Sequence, residues 1–225
     1  MDYLKAFANL GTRFLRPPEA LQRQLGQIRA LLLDWDGVFN DGWKDQDGGS
    51  PFSEVDSMGL NLLRFTMWHR AQKMLPCAII TGQRNPIAER FAKREHLDGI
   101  YMGFTHKPEA FEAFLAKHQL DARHVAFFFD DVLDIPVARQ CGFRVLVKRR
   151  SSPLLENHVV ASGDADLLTH HSGGGHGLRE VCELMVGLTG RPGEILEHRI
   201  TFSATYRSYL QERAAITTEV VWQDR

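Results

Sequence analysis

The middle of the chain alternates between short apolar runs and longer segments in which apolar residues recur every three or four positions. The apolar runs are typical of buried strands and cover residues 30–33, 77–80, 125–129 and 143–147. The segments with helical periodicity cover residues 58–69, 86–96, 107–118 and 135–141. Apolar strands that alternate with helices indicate a parallel sheet covered on both faces. The pattern therefore predicts an α/β fold of three layers, similar to a Rossmann fold.

One segment near the start of this pattern, residues 38–55, has neither strand nor helix periodicity. Its middle is Asp47-Gly48-Gly49, and such pairs favour the tight turns that join antiparallel strands. We therefore predict a β-hairpin that projects from the sheet just after the first strand. Pro51 is expected near its edge, because proline cannot donate a hydrogen bond to a neighbouring strand.

The two ends of the chain are expected to lie outside this core. Apolar residues between positions 3 and 15 are spaced as on one face of a packed helix, which indicates an N-terminal helical extension over residues 1–28. The core is predicted over residues 29–189, including a flexible glycine loop at 173–175 and a helix at 177–188. Residues 190–225 are expected to form a helical tail.

Charge and composition argue against several classes of function. The 225 residues include 27 basic and 28 acidic ones, and a formal net charge of −1 is unlike that of nucleic-acid-binding proteins. No apolar run approaches the roughly 20 residues needed to cross a bilayer, and the N-terminus does not resemble a signal peptide. The cysteines, Cys77, Cys141 and Cys182, are odd in number and lie in apolar sequence, so we expect free thiols in a cytoplasmic protein.

Polar residues stand at the predicted carboxyl ends of three strands, where ligands bind in open parallel sheets. They are Asp34 and Asp36, then Thr81 and Gly82, then Asp130 and Asp131, with Lys107 at the start of an intervening helix. Phosphoryl transfer through a covalent intermediate requires a carboxylate nucleophile, a second carboxyl group as acid and base, Mg²⁺, a hydroxyl and an ammonium group. Singly, such residues are more often helix caps, strand formers or solvated side chains. Their joint order along successive strands favours catalysis.

In these residues the chain resembles the haloacid dehalogenase superfamily of phosphatases, over roughly residues 30–188. The four stretches similar to the superfamily's motifs are, in order, Asp34-x-Asp36-Gly37-Val38, Ile80-Thr81-Gly82, Lys107 and Asp130-Asp131-x-x-Asp134.

The resemblance implies a role for each of these side chains. Asp34 would be the nucleophile and a metal ligand, and Asp36 the acid and base, with its backbone carbonyl on the metal. Asp130 would complete the Mg²⁺ site, and Asp131 would support it. The phosphoryl oxygens would be bound by Thr81 and Lys107, with Gly82 in support.

Within the superfamily, the chain is most similar to the branch without a cap domain, typified by 3-deoxy-D-manno-octulosonate 8-phosphate phosphatase. It has that branch's D-x-D-G-V-x-x-D-G pattern at residues 34–42, and a Gly-Gly loop followed by Arg-Glu-Val-Cys at 179–182. The intervals between motifs leave no room for a cap domain. Because the branch forms tetramers, the resemblance also implies a homo-oligomer.

Some positions depart from the branch and bear on the substrate. Gln83 stands where arginine is usual, with Arg84 after it, and Val55 replaces the arginine that usually precedes the aspartate matching Asp56. Phe129 replaces the usual glycine before the acidic pair, which suits a buried strand end. Arg84 and Asp56 are the candidate substrate-binding residues.

The resulting hypothesis is a Mg²⁺-dependent phosphomonoesterase for a small acidic sugar phosphate such as 3-deoxy-D-manno-octulosonate 8-phosphate. One alternative is a capless phosphatase for another metabolite, and a second is a non-catalytic binding or scaffold protein that retains the fold. The expected partner is a small phosphorylated metabolite, with no nucleic acid and no membrane. His170, His171 and His176 flank the glycine loop, and we expect them in solvent rather than on a metal.

Overall fold

The computed structural model describes residues 2–223, and the side chains of residues 3–223. Its strands are β1 (Arg13–Phe14), β2 (Ala30–Asp34), β3 (Cys77–Thr81), β4 (Gly99–Met102), β5 (Val125–Phe129), β6 (Phe143–Lys148), β7 (Leu167–Ser172) and β8 (Glu219–Trp222). Its α-helices are α1 (Asp2–Leu10), α2 (Pro18–Gln27), α3 (Glu54–Ala71), α4 (Pro86–Arg94), α5 (Lys107–His118), α6 (Ile135–Ala138), α7 (Pro153–Ser162), α8 (Gly177–Leu188), α9 (Pro192–Ile200) and α10 (Ala204–Ala214). None of these helices is long and apolar enough to cross a bilayer.

The strands form one sheet in the order β1-β7-β6-β5-β2-β3-β4-β8, and only β1 runs antiparallel to its neighbour. The predicted α/β class with a central parallel sheet is therefore confirmed. Strand β2 lies between β3 and β5, with Asp34 opposite Ile80 and Leu33 opposite Phe128. The carboxyl ends of these three strands consequently meet at one edge of the sheet.

Alternate side chains of the central strands enter two separate apolar clusters. Leu31, Leu33 and Phe128 pack with α3 and α8 on one face, whereas Leu32 and Phe127 pack with α5 and α6 on the other. Because both faces are covered, the central strands β2, β3 and β5 are apolar along their length up to the polar residues Asp34 and Thr81 at the ends of β2 and β3, and the architecture has three layers. Within the described residues no cap domain is inserted between Asp34 and Thr81 or between Thr81 and Asp130.

The predicted hairpin over residues 38–55 is wrong, since this segment contains no strand and α3 already begins at Glu54. Val38 and Phe39 are both buried, and Phe39 and Phe52 pack against the ring of Trp35. The following stretch has no β-branched residue to stabilise a strand, and the Asp45 carboxylate instead accepts hydrogen bonds from the N–H groups of residues 47 and 49. The segment is a compact loop over the carboxyl edge of the sheet.

Both ends of the chain pack onto the core and extend the sheet. Leu4 of α1 and Leu21 of α2 are buried in the cluster that contains α3, and β1 pairs with β7. The predicted helical tail contains α9 and α10, but it continues into β8, which pairs parallel with β4. The outermost positions of the two predicted terminal segments, residues 1 and 224–225, lie outside the described residues.

Candidate active site

The sequence-predicted residues of the first, second and fourth motifs lie side by side at the carboxyl edge of the sheet. Asp34 is the last residue of β2, Thr81 is the last residue of β3, and Asp130 directly follows β5. Parallel pairing of these three strands brings the side chains together. Thr81 is buried, and Gly82 after it is half-buried.

Lys107, the first residue of α5, joins two of the carboxylates. Its Nζ lies 2.9 Å from Asp34 Oδ1 and also donates a hydrogen bond to Asp134 Oδ1. All three side chains are buried. Burial alone would lower the pKa of Lys107, but the carboxylates of Asp34 and Asp134 outweigh it and raise that pKa above its ordinary value. Lys107 therefore neutralises part of a strongly negative site.

Asp34, Asp130 and Asp134 each direct a carboxylate oxygen to one point, with these oxygens within 4.8 Å of one another. Burial, and next the charge of Asp34, raises the pKa of Asp130 to about 9 and that of Asp134 to about 7. Asp130 Oδ1 is buried and has no hydrogen-bond partner among the described residues. An all-oxygen set with one unpartnered buried atom fits a hard divalent cation such as Mg²⁺.

Asp134 had no role assigned from the sequence, although its spacing after Asp130 was visible there. It is fully buried at the start of α6, and its Oδ2 accepts a hydrogen bond from the N–H of Asp131. Asp131, in contrast, is half-exposed and caps the N–H of Val132. Asp131 thus shapes the turn that carries Asp134 toward Lys107.

Gly37 explains how the loop after β2 approaches Asp130. Its φ is +87°, and a Cβ at this position would overlap the carboxylate of Asp130. Gly173 is under the same kind of constraint, because its Cβ would collide with the carbonyls of Gly37 and Asn40. The glycine loop, expected to be flexible, is therefore a short 3₁₀ turn packed against the loop that follows the nucleophile candidate.

Arg149, after β6, is a site residue that the sequence analysis missed. Its Nη2 donates to Asp130 Oδ2, and its Nη1 lies 3.7 Å from Asp131 Oδ2. The basic run at residues 148–150, at a strand end, was the available signal. This guanidinium supplies positive charge beside the three clustered carboxylates.

Asp36 is held by the loop that was expected to form a hairpin. Lys44 Nζ lies 2.5 Å from Asp36 Oδ2, and the buried hydroxyl of Ser50 donates to Asp36 Oδ1. Ser50 Oγ in turn accepts from Trp35 Nε1 at 2.9 Å and from Asn85 Nδ2 at 2.7 Å. Nothing local in the sequence pointed to Lys44 or Ser50, since the loop conformation decides both contacts.

The two candidate substrate-binding residues have different surroundings. Arg84 is exposed, and its guanidinium lies 5.6 Å from the centre of the Trp222 ring at the end of β8. Asp56 is fully buried, so its side chain does not face a space that a substrate could occupy. It accepts hydrogen bonds from the His176 ring and from the N–H of Arg179, and burial raises its pKa. Asp56 therefore joins the start of α3 to the start of α8.

Of the histidines beside the glycine loop, His170 and His176 are exposed, as expected, whereas His171 is partly buried. His171 Nδ1 lies 2.8 Å from Glu180 Oε2, and His176 Nδ1 lies 3.1 Å from Asp56 Oδ2. Each ring is less than half-exposed, with 37% and 46% of the side chain accessible. They fix the turn between β7 and α8 through buried carboxylates.

Comparison with known proteins gives relatives along most of the chain. The 3-deoxy-D-manno-octulosonate 8-phosphate phosphatase KdsC of Yersinia pestis is 30% identical over 172 residues, which cover 75% of this chain and 84% of that protein. A crystal structure of the Yersinia pestis phosphatase covers 77% of this chain and 88% of its own, with a TM-score of 0.63 and 29% identity. No protein-family model matches the chain.

A second similar structure has the same fold at lower identity. It is the 3-deoxy-D-manno-octulosonate 8-phosphate phosphatase of Moraxella catarrhalis, solved in complex with magnesium ion, phosphate ion and KDO. It has a TM-score of 0.62 and 24% identity, and the alignment covers 81% of this chain and 98% of that chain.

Proposed function

Since the chain belongs to the haloacid dehalogenase superfamily, in the family of 3-deoxy-D-manno-octulosonate 8-phosphate phosphatases, we propose that it hydrolyses an acidic sugar phosphate through an aspartyl-phosphate. As a member it is a phosphoric monoester hydrolase. The observation that carries the proposal is the buried group of Asp34, Asp130 and Asp134 with Lys107 across it. Buried carboxylates at this density are costly unless a cation compensates their charge, and such groups are common at functional sites.

We propose Mg²⁺ as the cofactor, held by Asp34, Asp130 and the backbone carbonyl of Asp36, with Asp134 beside it. The unpartnered Oδ1 of Asp130 and the oxygen-only donors support this choice, and the Moraxella catarrhalis protein of the same fold holds magnesium. When bound, the ion would offset the repulsion between the carboxylates and the phosphate dianion.

In the proposed first step, a carboxylate oxygen of Asp34 attacks phosphorus and the bond to the sugar oxygen breaks. The Asp36 carboxyl gives its proton to that leaving oxygen. In the second step, Asp36 takes a proton from a water molecule that attacks the phosphorus, which releases phosphate and restores Asp34. Lys107 contacts Asp34 and would orient it, and with Thr81 it would hold the phosphoryl oxygens. Ser50 and Lys44 orient the Asp36 carboxylate.

The proposed substrate class rests on positive charge at the mouth of the site. A cavity of about 520 Å³ is lined by Trp43, Arg149, Arg150, the glycine loop and one carboxylate, that of Asp41, and Arg149 connects this cavity to Asp130. Two guanidinium groups and an exposed tryptophan suit a small sugar that carries a carboxylate. 3-Deoxy-D-manno-octulosonate 8-phosphate is therefore the first substrate to test, and another acidic sugar phosphate is the second candidate.

The decisive experiment is phosphate release from a panel of sugar phosphates with Mg²⁺ or with a chelator. We expect Mg²⁺-dependent turnover with a preference for 3-deoxy-D-manno-octulosonate 8-phosphate over neutral sugar phosphates. Mg²⁺-dependent turnover of other compounds alone would retain the mechanism and reject this substrate. The absence of turnover on every compound, and on a generic aryl phosphate, would favour the scaffold alternative.

Asp130→Asn is expected to raise the Tm of the metal-free protein at pH 8 by about 5 °C. The native state holds the Asp130 proton more tightly than the unfolded chain, because its pKa rises from 3.8 to about 9. Native stability is therefore lost as the pH rises between these two values, and the variant should keep only the shallower loss below about pH 7 that Asp134 contributes. Thermal unfolding in a chelator from pH 5 to pH 9 measures both effects.

The same variant should lose the rise in Tm that Mg²⁺ gives the wild type. The matched control is Asp131→Asn, whose side chain is 44% exposed and whose capping function asparagine retains. A pH slope in Asp130→Asn as steep as in the wild type would show that Asp130 is not the group that holds the proton, and an undiminished response to Mg²⁺ would show that Asp130 is not part of the metal site.

We further propose that the protein acts in the cytoplasm as a homo-oligomer, with a tetramer as the family's arrangement. The three cysteines are buried free thiols, which suits a reducing compartment. Large exposed apolar side chains cluster around the site, with Trp43 79% and Leu154 84% accessible, as expected of a surface that another subunit covers. A mass in solution equal to one chain would refute the oligomer.

A further inference from the structure

Two histidines and a glutamate converge where α3 ends and α9 passes it. His69 lies in the last turn of α3, while Glu194 and His198 lie four residues apart on one face of α9. Each side chain offers a ligand atom, and these atoms all lie within 4.8 Å of one another. His69 Nε2 is 3.7 Å from Glu194 Oε1, and the two imidazole centres are 5.3 Å apart.

Neighbouring side chains fix the orientation of His198. Ser203 Oγ lies 2.9 Å from His198 Nδ1, which leaves Nε2 as the nitrogen available to a ligand. The ring of Phe65 packs edge-to-face against His198 and also contacts His69, at centroid distances of 6.1 and 6.0 Å. A hydrogen bond to the second ring nitrogen and an apolar wall are the usual surroundings of a metal-binding histidine.

This cluster is separate from the phosphatase site. Asp56, near the start of α3, lies at the carboxyl edge of the sheet, and His69 is 13 residues further along the same helix. At 1.5 Å per residue the two ends are about 20 Å apart. The cluster is also open to solvent, since 21% of the His69 side chain and 40% of the Glu194 side chain are accessible. An ion can therefore enter without opening the core.

We propose that His69, Glu194 and His198 bind a divalent transition metal of the zinc type, with water as the fourth ligand. Two imidazole nitrogens and one carboxylate oxygen are a ligand set that Zn²⁺ accepts in tetrahedral geometry, whereas Mg²⁺ prefers oxygen alone. Arg191, 3.6 Å from Glu194, remains as an outer partner of the carboxylate. The ion would clamp α9, and with it the segment that leads to β8, onto the end of α3.

Calorimetric titration of the full-length protein with Zn²⁺, in excess Mg²⁺, tests this proposal. We expect the double variant His69→Gln/His198→Gln to bind one equivalent of zinc fewer than the wild type. His198→Gln alone should raise the Kd of that zinc ion at least about tenfold. The matched control is His158→Gln, another half-exposed histidine, whose Nε2 lies 3.8 Å from Asp164. The control should bind zinc as the wild type does.

Two outcomes would overturn the site: a wild type that binds no zinc, and a double variant with unchanged stoichiometry. In the first case the residues form an ion pair only. If the double variant fails to fold, as judged by circular dichroism, the zinc X-ray absorption spectrum of the wild type decides. Two imidazoles per ion at this site support the proposal, and a spectrum of oxygen ligands only refutes it. Phosphate release is not a readout here, so the proposed function is tested separately.

Discussion

Asp34→Asn is expected to reduce phosphate release by about 10⁴-fold or more. An amide cannot attack phosphorus, and we expect no replacement by the neighbouring carboxyl groups, because burial and the charge of Asp34 raise the pKa values of Asp130 and Asp134 and Asp134 is fully buried. The variant should remain folded, because asparagine has nearly the same volume and the substitution removes a negative charge beside two further buried carboxyl groups. Single-turnover assays with a substrate radiolabelled in its phosphoryl group should show no covalent phosphoenzyme in the variant, whereas we expect the wild type to form one.

The matched control is Asp98→Asn, the same substitution at the opposite edge of the sheet. Asp98 Oδ2 accepts a hydrogen bond from the N–H of Cys77, at the amino end of β3. Its replacement should leave kcat within about threefold of the wild type. If Asp34→Asn retained more than about a tenth of the activity, the nucleophile would have to be a different group, and the proposed two-step mechanism would be wrong.

Lys107→Met is expected to lower both activity and stability. The variant retains the length of the side chain and removes its charge, which leaves Asp34 and Asp134 buried without their shared cation. Removing one partner of a buried ion pair costs about 3–5 kcal/mol, and loss of a group that holds the transferring oxygens costs about 10²–10³ in kcat. Urea unfolding in a chelator and steady-state assays with Mg²⁺ measure the two losses.

The pH dependence of the stability loss in Lys107→Met follows from the contacts of Lys107 with Asp34 and Asp134. The pKa of Lys107 is raised in the native state, so its stabilising charge is fully present below its unfolded value of 10.5 and is lost only at higher pH. Asp134, whose pKa is raised to about 7, takes up a proton as the pH falls below that value. Lys107 then loses one of its two negatively charged partners. The stability loss in Lys107→Met should therefore be larger at pH 8 than at pH 5.

Lys117→Met provides the comparison within the same helix. Lys117 pairs with Glu219, but both side chains are substantially exposed, at 40% and 50%. Exposed pairs contribute at most about 1 kcal/mol, so this variant should be nearly as stable as the wild type. Equal stability losses for the two lysines would contradict the assignment of a buried, charge-neutralising position to Lys107.

The sequence predicted best those elements that are buried and whose hydrophobic pattern lies within one continuous segment. The four apolar runs coincide with β2, β3, β5 and β6, and the helices predicted at 107–118 and 177–188 have the bounds of α5 and α8. Strands β1, β4, β7 and β8 were missed, because short, edge or partly polar strands lack a continuous apolar run. The false hairpin came from a turn signal without strand-forming residues on either side.

By itself the sequence determined the order of chemical groups along successive strands, and so the candidate reactive set, which is Asp34, Asp36, Thr81, Lys107 and Asp130. Parallel strands place their carboxyl ends together whatever the loops do, which is why position along the chain was sufficient. Only the tertiary structure decided which distant groups complete the set. Lys44, Ser50 and Arg149 reach the site through loop conformation, while His69 meets His198 because α9 packs against α3. Such contacts depend on packing between segments far apart in sequence, and no periodicity or motif encodes them locally.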